Sequence, residues 1–395
     1  MGHVLRSSGY KLSGLEIVRA EGCRLFTTEG RELVDFEGGV WATALGHNHP
    51  RIRRVIEDQQ QGISHIGYRV IHAAQEDAAV EVLRTVGLED GACLFLASGS
   101  EAVEFGVQLA RRVSDRPLLL TLAESFLASY GSAGTKPESE WFLFDRIQCA
   151  DCAGDRDCAS DCPQLSRIPF DRIGAFVFEP GSSGGFVRFP QEKLIRTLAN
   201  KVRESGGLLV VNEVTTGMGR TGAWFAYQHV GLRPDIVVIG KGLGNGYPVS
   251  AVALHSSVLA AIEGSDFHYA QSHQNDPLGC AVAAEVIRTL RDEQLVARSA
   301  DVGTWFQDEL LALAAQNDRI REVRGRGLML AIEFAPDKDS FALRDVYDNL
   351  LDRGFLVGYK PAGQLFRFLP PLTIGKAEIS AMIAALDDAL SQGPN

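Results

Sequence analysis

The sequence lacks the features of a membrane, secreted or nucleic-acid-binding protein. No apolar run in its 395 residues is long enough to span a bilayer, and the first residues, MGHVLRSSGY, lack the apolar segment of a signal peptide. Positive charge is also scarce: 39 Lys and Arg against 50 Asp and Glu give a formal net charge of −11, which argues against nucleic-acid and anionic-membrane partners. Seven cysteines leave one unpaired and disfavour a full disulfide framework. We expect a cytoplasmic protein.

What remains is the composition of an ordinary globular protein, with 45% hydrophobic and 23% charged residues. A chain of 395 residues exceeds what one compact domain usually holds, so we expect two domains.

Two short apolar runs near the middle of the chain each end at a single polar residue. Leu208–Val211 is followed by Asn212, and the run Asp235–Gly240 is followed by Lys241. A glycine-rich loop and a plausible helix separate the two runs, and apolar strand, crossover, apolar strand is typical of a buried parallel sheet. Open α/β sheets bind ligands beyond the carboxyl ends of such strands. We therefore expect Asn212 and Lys241 at the mouth of a pocket.

Lys241 is followed by Gly242, Gly244 and Gly246, which let backbone and ligand approach the lysine closely. A lysine amine in this setting can form a Schiff base with an aldehyde. A Lys-Gly pair alone is more typical of a solvated lysine in a turn. The longer string NEVTTGMGRTG, followed by PDIVVIGKGLGNGYP, resembles the core signature of class III aminotransferases, which are pyridoxal 5'-phosphate (PLP) enzymes of fold type I.

The resemblance implies an α/β fold, with a large PLP-binding domain around a mostly parallel, seven-stranded sheet and a smaller α+β domain from both termini. The expected bounds are 1–48 and 291–395 for the two parts of the small domain and 49–290 for the large domain. The implied activity is transfer of an amino group between an amino acid or ω-amine and a 2-oxo acid through the Schiff base of Lys241. The implied assembly is a homodimer with shared active sites.

A phosphate site is expected early in the chain. Ala92–Leu96 predicts a strand that leads into Ser98, Gly99 and Ser100 at a helix start, where backbone N–H groups bind anions. By itself Ser-Gly-Ser is an ordinary helix cap, and a serine hydrolase is disfavoured because G-x-S-x-G is absent. In the family the matching segment holds the cofactor phosphate.

The resemblance also implies the residues that hold the cofactor ring. Phe126 falls where an aromatic ring stacks on the pyridine, and Val214 falls on the opposite face. Leu127 and Ala128 replace the His-Gly of the family, so Tyr130 is a second candidate for the stacking ring.

Two further polar residues complete the expected cofactor contacts. Glu179 follows the predicted strand Ala175–Phe178 and lies on the cofactor side of the sheet in the family. The Gly-Ser-Ser run shortly after it lacks the switchable glutamate that relatives with two different substrates carry there. Ser272 falls on the hydroxyl residue that reaches the phosphate of the partner subunit's cofactor, although unaided it is a loop serine.

Two residues are candidates for substrate binding. Arg367, in FRFLPPL, matches an arginine that holds a substrate carboxylate in the family, a task suited to a planar, bidentate donor. The alternative is a surface arginine on an edge strand. Trp41 follows two glycines and is either a core residue or a wall of the substrate pocket, and the resemblance favours the wall.

A cysteine-rich run stands apart from these motifs. Cys149, Cys152, Cys158 and Cys162 have the spacing C-x2-C-x5-C-x3-C. Four thiolates this close can bind zinc or an iron–sulfur cluster. Reduced thiols in a surface loop, or two reversible disulfides, stay open as well, because metal sites usually pair C-x2-C with a longer spacer. We expect a structural or interface role.

Asn212 departs from the family, in which an aspartate faces the pyridine nitrogen and keeps it protonated. A full charge at about 4 Å is worth ~4 kcal/mol at an effective dielectric of 20. An amide removes that charge and can either donate to a neutral pyridine nitrogen or accept from a protonated one. The first case weakens the electron sink and should slow transamination, while racemisation is still supported. An amino-acid racemase or epimerase is therefore the alternative to an aminotransferase. A non-catalytic PLP-binding protein is disfavoured because Lys241 is intact.

Overall fold

The computed structural model describes residues 3–5, 13–149, 158, 162–181, 184–335 and 343–391. The strands are β1 (Ile17–Glu21), β2 (Arg24–Thr27), β3 (Glu32–Asp35), β4 (Ala92–Leu96), β5 (Leu118–Leu122), β6 (Trp141–Phe144), β7 (Ile173–Phe178), β8 (Leu208–Asn212), β9 (Ile236–Ile239), β10 (Ser250–Leu254), β11 (Ile320–Arg326), β12 (Met329–Phe334), β13 (Phe355–Leu356), β14 (Gly358–Lys360) and β15 (Leu365–Phe368). The helices are α1 (Gly38–Trp41), α2 (Pro50–Gly62), α3 (Ala73–Val86), α4 (Gly99–Val113), α5 (Gly131–Thr135), α6 (Glu192–Glu204), α7 (Ser256–Glu263), α8 (Pro277–Asp292), α9 (Leu295–Ala315), α10 (Leu343–Asp352) and α11 (Lys376–Ser391).

The largest sheet has seven strands in the order β4-β10-β9-β8-β7-β5-β6. Strands β5 to β9 pair in parallel, whereas β10 pairs antiparallel with both β9 and β4. The prediction of a mostly parallel, seven-stranded sheet is confirmed. Because β10 reverses direction between two neighbours, β4 runs the same way as β9, and the carboxyl ends of six strands lie at one edge.

Successive residues of the central strands face two different cores, as the two-residue period of a strand requires. Val210 and Val238 pack with the apolar face of α4, whereas Leu209 and Val211 belong to the larger core on the other side. Every residue of β5, β7, β9 and β10 is buried, as expected for a sheet covered on both faces. This explains why these strands are continuous apolar runs in the sequence.

Two smaller sheets flank the large one. The first has the order β1-β2-β3-β13, in which β13 pairs in parallel with β3, so a strand of the C-terminal part completes the N-terminal meander. The second is antiparallel, with the order β11-β12-β15-β14. The Leu369 N–H donates to the carbonyl oxygen of Phe36 at 2.7 Å and links the two. The domain bounds at residues 48 and 290 stay a prediction.

Within the described ranges, none of the helices combines the length and the apolar character that crossing a bilayer requires.

Candidate active site

Lys241 lies just beyond β9, at the carboxyl edge of the large sheet. Its backbone φ of 42° is in the left-handed region, which costs a non-glycine residue roughly 1–2 kcal/mol. Burial lowers the pKa of Lys241 to about 8, while the nearby charge of Glu179 acts to raise it and that of Arg367 to lower it. About a tenth of the amine is therefore neutral, and hence nucleophilic, at pH 7, far more than for an ordinary lysine.

Three loops meet beside Lys241. A Cβ added at Gly240 would lie 3.3 Å from Val214 Cγ1 and 3.5 Å from the Cα of Gly99. A Cβ added at Gly99 would lie 2.7 Å from Val214 Cγ1. These positions leave no room for a side chain, so the loops after β4, β8 and β9 pack directly on one another. The structure thus brings Gly99, Val214 and Lys241 together.

The start of α4 forms an anion site next to this junction. The Ser98 Oγ accepts a hydrogen bond from the N–H of Glu101 at 3.3 Å and so caps the helix. The Ser100 Oγ accepts from the N–H of Ser129 at 3.0 Å, which ties the loop after β5 to the same place. The first N–H groups of a helix, here those of Gly99 and Ser100, have no acceptor within it and are free to bind a phosphate.

Asn212 ends β8 at the same edge and is buried. Its Oδ1 accepts from the N–H of Val214 at 3.1 Å, and its Nδ2 donates to the carbonyl oxygen of Leu127 at 3.4 Å. Because an N–H only donates and a carbonyl only accepts, these neighbours fix the orientation of the amide. The second Nδ2 hydrogen and one Oδ1 lone pair are left for a ligand.

Glu179 follows β7 and is also buried. Its Oε2 accepts from the N–H of Phe126 at 3.1 Å, so the carboxylate positions the residue whose ring is expected to stack on the cofactor. The side chains of Phe126 and Tyr130 are both about half exposed. The bond to Glu179 holds the main chain of Phe126, and the choice of Phe126 over Tyr130 as the stacking ring stays a prediction.

The ring of Trp41 contacts two cations. The Lys241 Nζ is 4.3 Å and the Arg367 Cζ 4.5 Å from the centroid of the Trp41 ring. Trp41 is only 4% exposed, and its Nε1 has no hydrogen-bond partner in the described part of the chain. An unsatisfied buried donor costs about 1–3 kcal/mol, so this N–H marks a position where the acceptor atom of a ligand fits.

Arg367 is buried and lies on β15, an inner strand between β12 and β14, which excludes a surface arginine on an edge strand. Its Nη2 and Nε both donate to Glu37 Oε1, at 2.6 and 3.1 Å. Sequence analysis missed Glu37, because no local pattern links two residues 330 positions apart. The Gly-Ser-Ser run after Glu179 supplies no glutamate for Arg367, but the structure supplies Glu37 from the N-terminal region.

Two groups of predicted residues are not part of this constellation. Ser272 is exposed in the turn before α8, and its contact with a partner's cofactor stays a prediction. Cys149, Cys158 and Cys162 form no disulfide within the described ranges and do not converge there as a three-ligand group. Cys152 lies outside the described residues.

The arrangement fits PLP: an anion site for the phosphate, a reactive amine, a buried amide with unused bonding capacity, and an orphaned indole N–H. A mostly buried lysine at the carboxyl edge of a mostly parallel sheet, next to an anion site at a helix start, defines a fold type I PLP enzyme.

Comparison with known families gives the more specific assignment. Residues 6–128 and 145–390 match the family model "Aminotransferase class-III", so this chain belongs to the class III aminotransferases. It is 30% identical to the acetylornithine aminotransferase of Methanothermobacter thermautotrophicus over 97% of this chain and 95% of the relative. It is 31% identical to that of Methanopyrus kandleri over 96% and 95% of the two chains. The prediction of a PLP-dependent aminotransferase is confirmed and favoured over a racemase.

Solved structures show the same fold. An ornithine aminotransferase from Toxoplasma gondii is 26% identical, with a TM-score of 0.83 over 97% of this chain and 91% of its own. A thermostable (S)-enantioselective omega-transaminase from Thermomicrobium roseum is 26% identical, with a TM-score of 0.86 over 95% and 92% of the two chains.

Proposed function

We propose that this aminotransferase takes the terminal amino group of an ω-amino acid and transfers it to a 2-oxo acid, with Lys241 as the covalent and acid–base residue. The observation that carries the proposal is the Arg367–Glu37 pair beside Trp41 and Lys241. The names of the two relatives, which act on acetylornithine, support a donor of this class.

The pair suits two substrates that differ at the reacting carbon. A 2-oxo acid carries a carboxylate next to that carbon, and the fork of Arg367 is a matching bidentate donor. A terminal amine carries no carboxylate there, and Glu37 then remains as the partner of Arg367 so that no buried cation is left unpaired. Switching from the terminal amine to the 2-oxo acid therefore requires only that the substrate carboxylate replace Glu37 on Arg367.

Lys241 performs the proton transfer in this proposal. PLP, when bound, supplies the electron sink that stabilises the charge left on the substrate carbon. Because burial lowers the pKa of Lys241 to about 8, its amine can accept the proton from the substrate carbon that bears the amino group. Trp41 covers the amine at 4.3 Å and keeps water from that side.

The finer features of the assembly belong to the proposal too. We propose a cytoplasmic homodimer in which Ser272 contacts the phosphate in the partner's site. The large domain spans residues 49–290 in this proposal. Zinc or an iron–sulfur cluster at the cysteine run is a separate hypothesis, and metal analysis with Cys149→Ser as the control tests it.

The experiment is a half-reaction without an oxo acid. The holoenzyme is mixed with N-acetylornithine, 4-aminobutyrate or an α-amino acid, and the cofactor absorbance and the optical purity of the amino acid are followed. We expect conversion of the cofactor to its amine form with the ω-amino donors and with the α-amino acid that regenerates the oxo acid. Loss of optical purity with an unchanged cofactor would instead indicate a racemase. Conversion by α-amino acids alone would contradict the ω-amino donor.

A further inference from the structure

Outside the active site, one cluster of metal-ligating side chains stands out among the described residues: His65, His273 and Asp276, whose ligand atoms all lie within 4.8 Å of one another. The Nδ1 atoms of the two histidines lie 2.9 Å from the two different carboxylate oxygens of Asp276. The imidazole centroids are 4.6 Å apart. His65 is in the loop after α2, 208 positions before His273, so the convergence comes from the fold and not from local sequence.

Asp276 is positioned for a ligand rather than for capping. It is the N-cap residue of α8, where an aspartate normally accepts from N–H groups of the first turn. Its side chain makes no such bond and is directed instead at His65 and His273. The carboxylate thus forgoes the usual capping contact, about 0.5–2 kcal/mol of helix stability, in favour of the histidines.

The segment that carries His273 and Asp276 is held rigidly. Asn275 accepts from the N–H of Phe95 through its Oδ1 at 2.8 Å, and its own N–H donates to the carbonyl oxygen of Phe95 at 2.9 Å. Gln75 donates to the carbonyl oxygen of Asn275 at 2.8 Å. A metal site on a segment fixed in this way requires little ordering on binding. Only the exposed loop of His65 has to adjust.

Two imidazole nitrogens and one carboxylate oxygen are a typical donor set for zinc. Zinc bonds of 2.0–2.2 Å in a tetrahedron place ligand atoms about 3.4 Å apart, so the 2.9 Å separations need to widen by about half an ångström. A cavity of about 220 Å³, lined in part by His273, Asp276 and Tyr247, adjoins the cluster and has room for a water molecule as fourth ligand.

We propose that His65, His273 and Asp276 bind a zinc ion that fastens the loop after α2 to the start of α8. The ion replaces the two protons that bridge the imidazoles and the carboxylate. All three ligands come from one chain.

The test is metal stoichiometry on the untagged holoenzyme. After dialysis against a chelator, wild type and variants are titrated with Zn²⁺ by calorimetry, and bound zinc is counted after gel filtration. We expect Asp276→Asn and His273→Ala to bind one equivalent fewer per chain than wild type, or to bind that equivalent more than about tenfold more weakly. The matched control, His268→Ala, removes an exposed histidine five positions away and should keep the full stoichiometry. Zinc held by the cysteine run contributes equally to all of these proteins and cancels.

A second measurement covers variants that fold poorly. His65→Ala changes only an exposed loop side chain and should lose the same equivalent. In wild type, Zn²⁺ should slow amide hydrogen exchange over residues 63–72, and in His65→Ala it should not. Equal stoichiometry in Asp276→Asn, His65→Ala and wild type, or exchange unaffected by Zn²⁺, would overturn the proposal.

Discussion

The two sides of the active site are built in different ways. On the cofactor side, Asn212 ends one strand of the large sheet, and Ser98, Glu179 and Lys241 follow other strands of it. On the substrate side, Glu37 follows the N-terminal strand β3, Arg367 lies on the C-terminal strand β15, and Trp41 contacts both Arg367 and Lys241. The first side is a property of one sheet, whereas the second depends on how the terminal parts dock.

The electrostatics of the two sides differ accordingly. Burial is the dominant influence on Lys241 and lowers its pKa to about 8, which favours the neutral amine. Arg367 is buried too, but a carboxylate oxygen at 2.6 Å compensates its charge. One side therefore holds a cation that readily gives up its proton, and the other holds a cation whose charge is balanced by a carboxylate.

The largest effect is expected on the cofactor side. Lys241→Ala should lower kcat/KM for amino transfer at least about 10⁴-fold, because both the covalent link and the proton acceptor are lost. Lys376→Ala, which removes a lysine that lies over Trp305, is the control and should leave the rate unchanged. Borohydride treatment followed by peptide mass analysis should mark residue 241 in wild type. Turnover by the alanine variant within tenfold of wild type would remove the basis of the mechanism.

The substrate side should respond to the choice of substrate. Arg367→Ala should raise the KM for a 2-oxo acid about 100-fold, since removing a bidentate carboxylate partner costs at least 2–3 kcal/mol, and should leave the KM for a terminal amine much less affected. Glu37→Gln should do the reverse, with tighter oxo-acid binding and weaker ω-amine binding. Initial-rate kinetics with both substrates measures this. Equal changes for the two substrates would contradict the exchange of partners at Arg367.

The pH dependence links the two sides. The rate at which the apoenzyme takes up PLP covalently should rise about tenfold from pH 7 to pH 9, because the neutral amine reacts and the pKa of Lys241 is about 8. Glu179 raises this pKa and Arg367 lowers it, so Glu179→Gln should move the profile to lower pH and Arg367→Gln to higher pH. Stopped-flow absorbance at fixed PLP concentration measures the profile. Shifts in the opposite directions would show that other charges dominate.

The smallest effect is expected at Trp41, where the cofactor side and the substrate side meet. Trp41→Phe keeps an aromatic ring beside Lys241 and Arg367 but weakens both cation–π contacts and removes the Nε1 donor. A desolvated contact of this kind is worth about 2 kcal/mol and phenylalanine keeps part of it, so a two- to fivefold loss of kcat/KM is expected. Trp305→Phe, remote from the site, is the matched control. A loss above 100-fold would mean that Trp41 has a role beyond covering the amine.

The same division separates what the sequence could predict from what it could not. The ends of β8 and β9 were predicted to within a residue, because buried parallel strands are continuous apolar runs and stop at a polar residue. The resemblance to a family then assigned roles at those ends. The Glu37–Arg367 pair could not be predicted, since it depends on tertiary docking of segments that have no common pattern. The cluster around Asp276 could not be predicted from the sequence for the same reason. His65 and His273 are ordinary loop residues in the sequence, and only the fold brings them together.

The antiparallel strand β10 has a consequence for how Lys241 moves. Residues 241–249 leave the sheet at β9 and return to it at the adjacent β10, and Asn245 anchors the middle of this hairpin by bonding to Leu45 and Gly46. The segment that carries Lys241 is therefore held by β9, by β10 and by the bonds of Asn245. Any movement of the amine from one bonding partner to the next must therefore come from rotation about the methylene bonds of the Lys241 side chain. During turnover the amine of Lys241 moves while its main chain stays in place.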